Sequence, residues 1–184
     1  MGNTGLVVID MLKDFVEGVL ANPASRPTID PIEALVKKAR QRKDWRVIYA
    51  NDAHLPGDLE LEVFGEHAMA GSAGAAVVEQ LKPIASDFVV PKRFYSSFTQ
   101  TDLEATCRVH DIDTLVLVGQ HTDCCVRHTS YDAFQLGIKL IVPSDATAIF
   151  SPASEEPEAI RQQRALDYLK TFYAAKIVTS RDLF

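Results

Sequence analysis

Short runs that are apolar at nearly every position, rather than at every second one, punctuate the chain at residues 6–9, 46–50, 88–91, 114–118, 139–142 and 176–179. Side chains alternate faces along a strand, so continuous apolarity means burial on both faces, as in a parallel sheet covered by helices. Between these runs the period becomes helical. Ile32, Leu35, Val36 and Ala39 recur at i, i+3, i+4 and i+7 behind Asp30-Pro31, which predicts an N-cap at Asp30 and a proline in the first turn. Helices are also predicted over 74–81, 102–110, 123–136 and 156–173, with Gly137 placed for a left-handed C-terminal residue. The order β-α-β-α-β-α-β-α-β-α-β implies right-handed crossovers and a three-layer, doubly wound α/β domain around a six-stranded, mainly parallel sheet. Residues 14–29 and 51–71 fit no regular element and directly follow strands, where open α/β sheets build their sites.

Composition narrows the class. A chain of 184 residues that is 47% hydrophobic can bury one sizeable core, so residues 1–184 read as a single domain. The net charge of -6 gives no basic footprint for nucleic acid. No apolar stretch approaches the ~20 residues of a membrane span, and no basic leader precedes the first strand, so a cytoplasmic protein is expected. The three cysteines, Cys107, Cys124 and Cys125, are odd in number, and two are adjacent. Adjacent cysteines make a poor disulfide, so reduced thiols are expected.

Candidate chemistry gathers at the predicted strand ends. Asp10 follows the first strand, Asn51-Asp52 the second, Lys92 the third, and 121–125 the fourth. Cys125 opens a predicted helix, whose N-terminus favours a thiolate and can hold a developing oxyanion. Singly, an Asp at a strand end is a turn residue, a Lys is solvated and a Cys is a small core residue. Jointly they form a nucleophile, an acid/base and a charge partner, a constellation for acyl transfer. Asp52 and His54, two apart on an extended segment, point the same way, and His67 can complete a facial metal set. His110, His128 and Cys124 read as structural.

Together these residues resemble the isochorismatase-like cysteine hydrolases and, within them, the nicotinamidases. The resemblance spans nearly the whole chain. It is carried by Val7-Val8-Ile9-Asp10-Met11-Leu12-Lys13-Asp14-Phe15, by Asn51-Asp52-Ala53-His54, by His67 with Gly71, by Lys92-Arg93-Phe94-Tyr95-Ser96-Ser97-Phe98 with Thr101-Asp102-Leu103, and by residues 119–126. It implies an isochorismatase-like, Rossmann-like fold and a triad of Asp10, Lys92 and Cys125. It also implies a cis peptide between Gln120 and His121, and an oxyanion hole from the N–H groups of His121 and Cys125. Phe15 corresponds to an aromatic that packs on the substrate ring, and Phe64 can add a second face. One divalent ion is implied on Asp52, His54 and His67, zinc foremost with iron or manganese open, and Glu60 or Glu62 as a guessed fourth ligand.

By the same resemblance the protein is a homo-oligomer that hydrolyses a small-molecule amide through a thioester, with nicotinamide giving nicotinic acid and ammonia for NAD salvage as the favoured case. Nicotinamidases often carry tryptophan at the position of Phe64 and an aromatic at that of Cys124. Those departures leave open another small amide, a carbamoyl or ureido compound, or a vinyl ether such as isochorismate. A thiol redox sensor built on Cys124 and Cys125 is the reading from a different class.

Overall fold

The computed structural model describes residues 2–151 and 156–184. Its strands are β1 (Asn3–Ile9), β2 (Trp45–Asp52), β3 (Phe88–Lys92), β4 (Ile112–Gln120), β5 (Lys139–Pro143), β6 (Thr147–Ala148) and β7 (Lys176–Val178). They form one sheet in the order β3-β2-β1-β4-β5-β7, with β6 paired to β4. Every pairing is parallel. The sheet therefore has seven strands where the hydrophobic runs predict six. The extra one, β6, is two residues long, too short to leave a periodic signal, and pairs Gly119 with Thr147 and Gln120 with Ala148. It extends the β4 edge past the point where β5 stops pairing at Val116.

Helices α1 (Lys13–Val16), α2 (Ile29–Arg40), α3 (Leu59–Phe64), α4 (Leu103–Val109), α5 (Cys125–Gln135) and α6 (Glu158–Tyr173) connect these strands. Alternate residues of the central strands feed two cores. Leu6, Val8, Val47, Tyr49, Val116 and Val118 pack with Ile32, Leu35, Val36 and Ala39 of α2 on one face. Val7, Ile9, Ile48, Leu115 and Leu117 pack with Leu103, Val126, Leu166 and Leu169 on the other. Each such aliphatic side chain contributes roughly 1.5–3 kcal/mol by leaving water, which is why these strands tolerate no polar alternation.

Two predicted helices differ, and two stretches read as irregular hold short elements. Residues 74–81 are not a helix; only Glu79–Leu81 makes a 3-10 turn. The Val78 N–H donates to the Met11 carbonyl at 3.0 Å and the Lys13 N–H to that of Ala76 at 2.9 Å. This segment thus spends its backbone hydrogen bonds across the chain rather than within a helix. Helix α2 begins at Ile29, directly after a 3-10 turn over Pro23–Thr28, so Asp30 lies in its first turn and is not the N-cap. The stretches 14–29 and 51–71 hold the end of α1, that 3-10 turn and α3, pieces too short for periodicity to reveal.

Strands β1 and β4 lie side by side at the centre while their successors run to opposite edges, so the sheet changes winding direction between them. Loops at that point splay apart and leave a crevice at the strand carboxyl ends. Among the described residues no helix is long and apolar enough to cross a membrane.

Candidate active site

Asp10 is the residue after β1, with φ +52, an uncommon conformation for a residue bearing a Cβ. Its surroundings enforce it. The Asp10 N–H donates to Asn51 Oδ1 at 3.1 Å, its carbonyl accepts from Gln120 Nε2 at 3.0 Å, and its Oδ1 accepts the Asp52 N–H at 2.8 Å. Gln120 is itself held, its Oε1 accepting from Asn22 Nδ2 at 3.3 Å and from the Ser25 hydroxyl. The peptide between Gln120 and His121 is cis.

Lys92, the last residue of β3, is 1% exposed. Its Nζ lies 2.8 Å from Asp10 Oδ2, 2.5 Å from Asp52 Oδ1 and 3.7 Å from Cys125 Sγ. The strand ends thus bring sulfur, carboxylate and ammonium to one point, as the spacing predicts. Burial works against the Lys92 charge, but Asp10 and Asp52 outweigh it and hold the ammonium well above its ordinary pKa. Burial, together with the Asp52 charge, pushes the Asp10 carboxyl up to about 7. Burial would also raise Asp52, yet Lys92 and the facing His54 bring it down.

Cys125 is the first residue of α5 and is buried. A hydrogen bond with Cys124 and burial raise its thiol well above the ordinary value, while the same bond, opposed by burial and aided by His128, brings Cys124 down to about 6. Geometry separates the two sulfurs: it is Cys125 Sγ that contacts Lys92, and Cys124 is half-buried at the helix N-cap. His128 turns its Nδ1 to the Cys124 carbonyl at 2.8 Å, and His110 packs on Phe88 at 4.7 Å between ring centroids, in keeping with structural roles.

A second cluster shares Asp52. Ligand-capable atoms of Asp52, His54, Glu60 and His67 lie within 4.8 Å of one another, and all four residues are buried. His54 Nδ1 faces Asp58 Oδ2 at 3.2 Å and His67 Nδ1 faces the Gly65 carbonyl at 2.7 Å, which leaves both Nε2 lone pairs for the cluster. Neither His54 Nε2 nor Glu60 Oε1 has a hydrogen-bond partner among the described residues. Burial and Asp52 push the Glu60 carboxyl up to about 8. Two imidazoles, two carboxylates and orphaned polar atoms aimed at a common point fit a divalent cation.

Above both clusters lies a cavity of about 100 Å³. Phe15, Phe64, Tyr95, His121 and Phe150 supply its aromatic walls. The His121 ring stands 5.0 Å from Phe150 and 5.9 Å from Phe15 in edge-on contacts, and Phe64 lies 6.1 Å from His67. Burial drives the His121 imidazole down to about 4, so it is a neutral wall at physiological pH.

A family model described as the isochorismatase domain matches residues 4–179. The chain belongs to the isochorismatase family. An N-carbamoylsarcosine amidase from Thermoplasma acidophilum is 36% identical and superposes with a TM-score of 0.86, covering 97% of this chain and 96% of that one. A nicotinamidase/pyrazinamidase from Bacillus subtilis is 29% identical, with a TM-score of 0.85 over 96% and 99% of the two chains. The nicotinamidase of Saccharomyces cerevisiae is 26% identical over 85% of this chain and 92% of its own length. Relatives of this isochorismatase-family member that are named as amidases differ in which amide they take.

Sequence reasoning missed Phe150, Asp58 and Arg93 and left Glu60 as a guess. Phe150 follows the two-residue β6 and is placed by its N–H donating to Asp123 Oδ1 at 3.0 Å, a long-range bond with no local signature. Arg93 directly follows Lys92, and an arginine beside a strand-end lysine was the one available hint.

Proposed function

We propose that this chain is a metal-containing cysteine amidohydrolase whose substrate is an uncharged aromatic carboxamide, nicotinamide foremost. The carrying observation is the charge of the cavity. The acidic side chains lining it are Asp10, Asp52, Glu60 and Asp123, and among the described residues no Arg or Lys lines it. Lys92 is paired with Asp10 and Asp52 beneath the floor, and Arg161 donates to the Phe150 carbonyl at 3.0 Å without itself lining the cavity. The carboxylate of a carbamoyl or ureido acid would find no arginine or lysine among the described lining residues, and a divalent ion held by Asp52 and Glu60 would already be neutralised by them, so burying that carboxylate would cost several kcal/mol. A neutral ring among aromatic walls incurs no such cost.

In the proposed reaction Asp10, as carboxylate, takes the Cys125 thiol proton while Lys92 stabilises the ionised sulfur. The sulfur attacks the carboxamide carbon, and the N–H groups of His121 and Cys125 receive the oxyanion at the start of α5. Asp10 returns the proton to the departing ammonia, leaving an acyl thioester on Cys125. Water deprotonated by Asp10 attacks the thioester, releasing the carboxylic acid and restoring the thiol. Asp52, His54, Glu60 and His67 would hold the divalent ion, which supplies a positive anchor that orients a ring nitrogen. Phe15 and Phe64 hold the ring and exclude water. Two cores on the faces of one sheet support a single-domain reading of residues 1–184.

Ammonia release from nicotinamide, pyrazinamide, N-carbamoylsarcosine and a simple aliphatic amide tests this. The aromatic amides should be turned over with kcat/KM at least about 100-fold above the carboxylate-bearing one, the equivalent of roughly 2.7 kcal/mol. Preference for N-carbamoylsarcosine would overturn the substrate assignment, and no ammonia from any amide would overturn the reaction.

A further inference from the structure

His54 owes its orientation to a side chain that has its own support. Asp58, the residue before α3, is 7% exposed and accepts from three directions. His54 Nδ1 lies 3.2 Å from its Oδ2, the Leu55 N–H donates to the same oxygen at 2.9 Å, and Arg93 Nε lies 3.0 Å from each oxygen while Arg93 Nη2 reaches Oδ1. A guanidinium fork on a carboxylate fixes both its plane and its distance. Facing such a carboxylate, Nδ1 must be the donor, so the Nε2 lone pair is directed at the cluster, where Asp52 Oδ2 is 3.7 Å and Glu60 Oε2 3.8 Å away. The two metal-facing histidines differ here, because His67 is set by the backbone carbonyl of Gly65, which no substitution removes.

Arg93 also joins two parts of the chain. It is the residue after β3, whereas Asp58 lies in the loop that follows β2. The Ala53 N–H donates to the Lys92 carbonyl at 2.9 Å just beside it. The fork therefore locks the loop carrying His54 and Glu60 to the strand end carrying Lys92.

We propose that Asp58 and Arg93 are positioning residues for the metal centre, fixing the tautomer and aim of His54 through the chain Arg93–Asp58–His54. The inference rests on the metal reading above and deepens it. Removing Asp58 lets the imidazole rotate or change tautomer, and removing Arg93 lets the carboxylate swing. Outer partners of this kind alter metal affinity by about 10–100-fold.

Zinc affinity, measured by competition with a chromophoric chelator on the full chain, gives the test without recourse to activity. Asp58→Ala should weaken zinc binding about 10–100-fold, Asp58→Asn, which keeps an acceptor, should weaken it less, and Arg93→Gln should fall between wild type and Asp58→Ala. The cobalt-substituted protein should show a displaced visible absorption band in Asp58→Ala, a change that loosened packing elsewhere would not produce. Arg93 is half-exposed at its side chain, so Arg93→Gln decides the matter if Asp58→Ala does not fold. Wild type that binds zinc while both variants bind it within twofold of wild type overturns this inference and leaves the metal reading standing. Wild type that binds no zinc overturns both.

Discussion

Lys92 Nζ and Asp52 Oδ1 lie 2.5 Å apart in an interior from which both side chains are excluded from water. Asp52 is thereby a member of two groups: it partners the ammonium of the sulfur site through one oxygen and faces His54 Nε2 through the other at 3.7 Å. A cation bound by Asp52, His54, Glu60 and His67 would draw charge from the same carboxylate that holds Lys92, so the two halves of the site are electrostatically one object.

Asp52 and His67 should therefore fail differently. Asp52→Asn removes one of the two carboxylates that hold the Lys92 ammonium, so it should lower both zinc affinity and kcat, each by at least about 100-fold. His67→Ala leaves both carboxylates that hold Lys92 in place and should lower zinc affinity while acting on KM more than on kcat. Parallel metal titrations and steady-state kinetics would show this, and equal losses of kcat in the two variants would mean the clusters are not joined through Asp52.

Cys125→Ser keeps the shape of the site but replaces a thiol with a hydroxyl that Asp10 cannot ionise, so amide turnover should drop by about 10³-fold or more. Cys124→Ser should retain most activity, since Cys124 does not contact Lys92. Acid-quenched wild type with slow amides should carry the acyl group on Cys125 in peptide mass spectra. An acyl group on Cys124 would reassign the nucleophile.

Much of this arrangement is legible in the chain because a parallel sheet converts order into place. Asp10, Asp52, Lys92 and Cys125 each follow an apolar run, and strands that run the same way put all their ends on one edge. Residues that arrive by other routes are not legible. Phe150 reaches the cavity behind a two-residue strand, Glu60 from a six-residue helix in a loop, and Arg93 through a long-range ion pair with Asp58. The helix predicted over 74–81 failed for a related reason: its periodicity was local, and its backbone partners, Met11 and Lys13, were not.

Stability should carry a histidine signature at mildly acidic pH. The folded pKa of His121, about 4, lies below its ordinary 6.5. Between those values the unfolded chain binds a proton that the folded chain does not, so this group's contribution is complete above about 6.5 and is lost as pH falls toward 4, with a slope of up to about 1.4 kcal/mol per unit. Asp10 and Glu60, whose folded pKa values are raised, act in the opposite sense. The measurement is the difference in urea midpoint between metal-free wild type and His121→Gln across pH 4–7. A difference that does not change with pH would refute the assignment.

Gly119 sets the spacing of the two strands on which the site hangs. It pairs with Ile9 in the β1–β4 register, has φ +104, and an added Cβ would stand 2.0 Å from the Ile9 carbonyl oxygen. Ile9 immediately precedes Asp10, and Gly119 immediately precedes the peptide that leads to Cys125. Alanine there must either push the strands apart or abandon the left-handed backbone, so Gly119→Ala should cost about 3 kcal/mol or more and lower amide turnover with it. Gly137 is the matched control: its φ is +73, but a Cβ would meet nothing within 4 Å, so Gly137→Ala should cost only about 1 kcal/mol, the conformational part alone. Urea unfolding of the two variants reads the comparison directly. Equal destabilisation would show that the close approach of Ile9 and Gly119 carries no weight beyond the backbone angle.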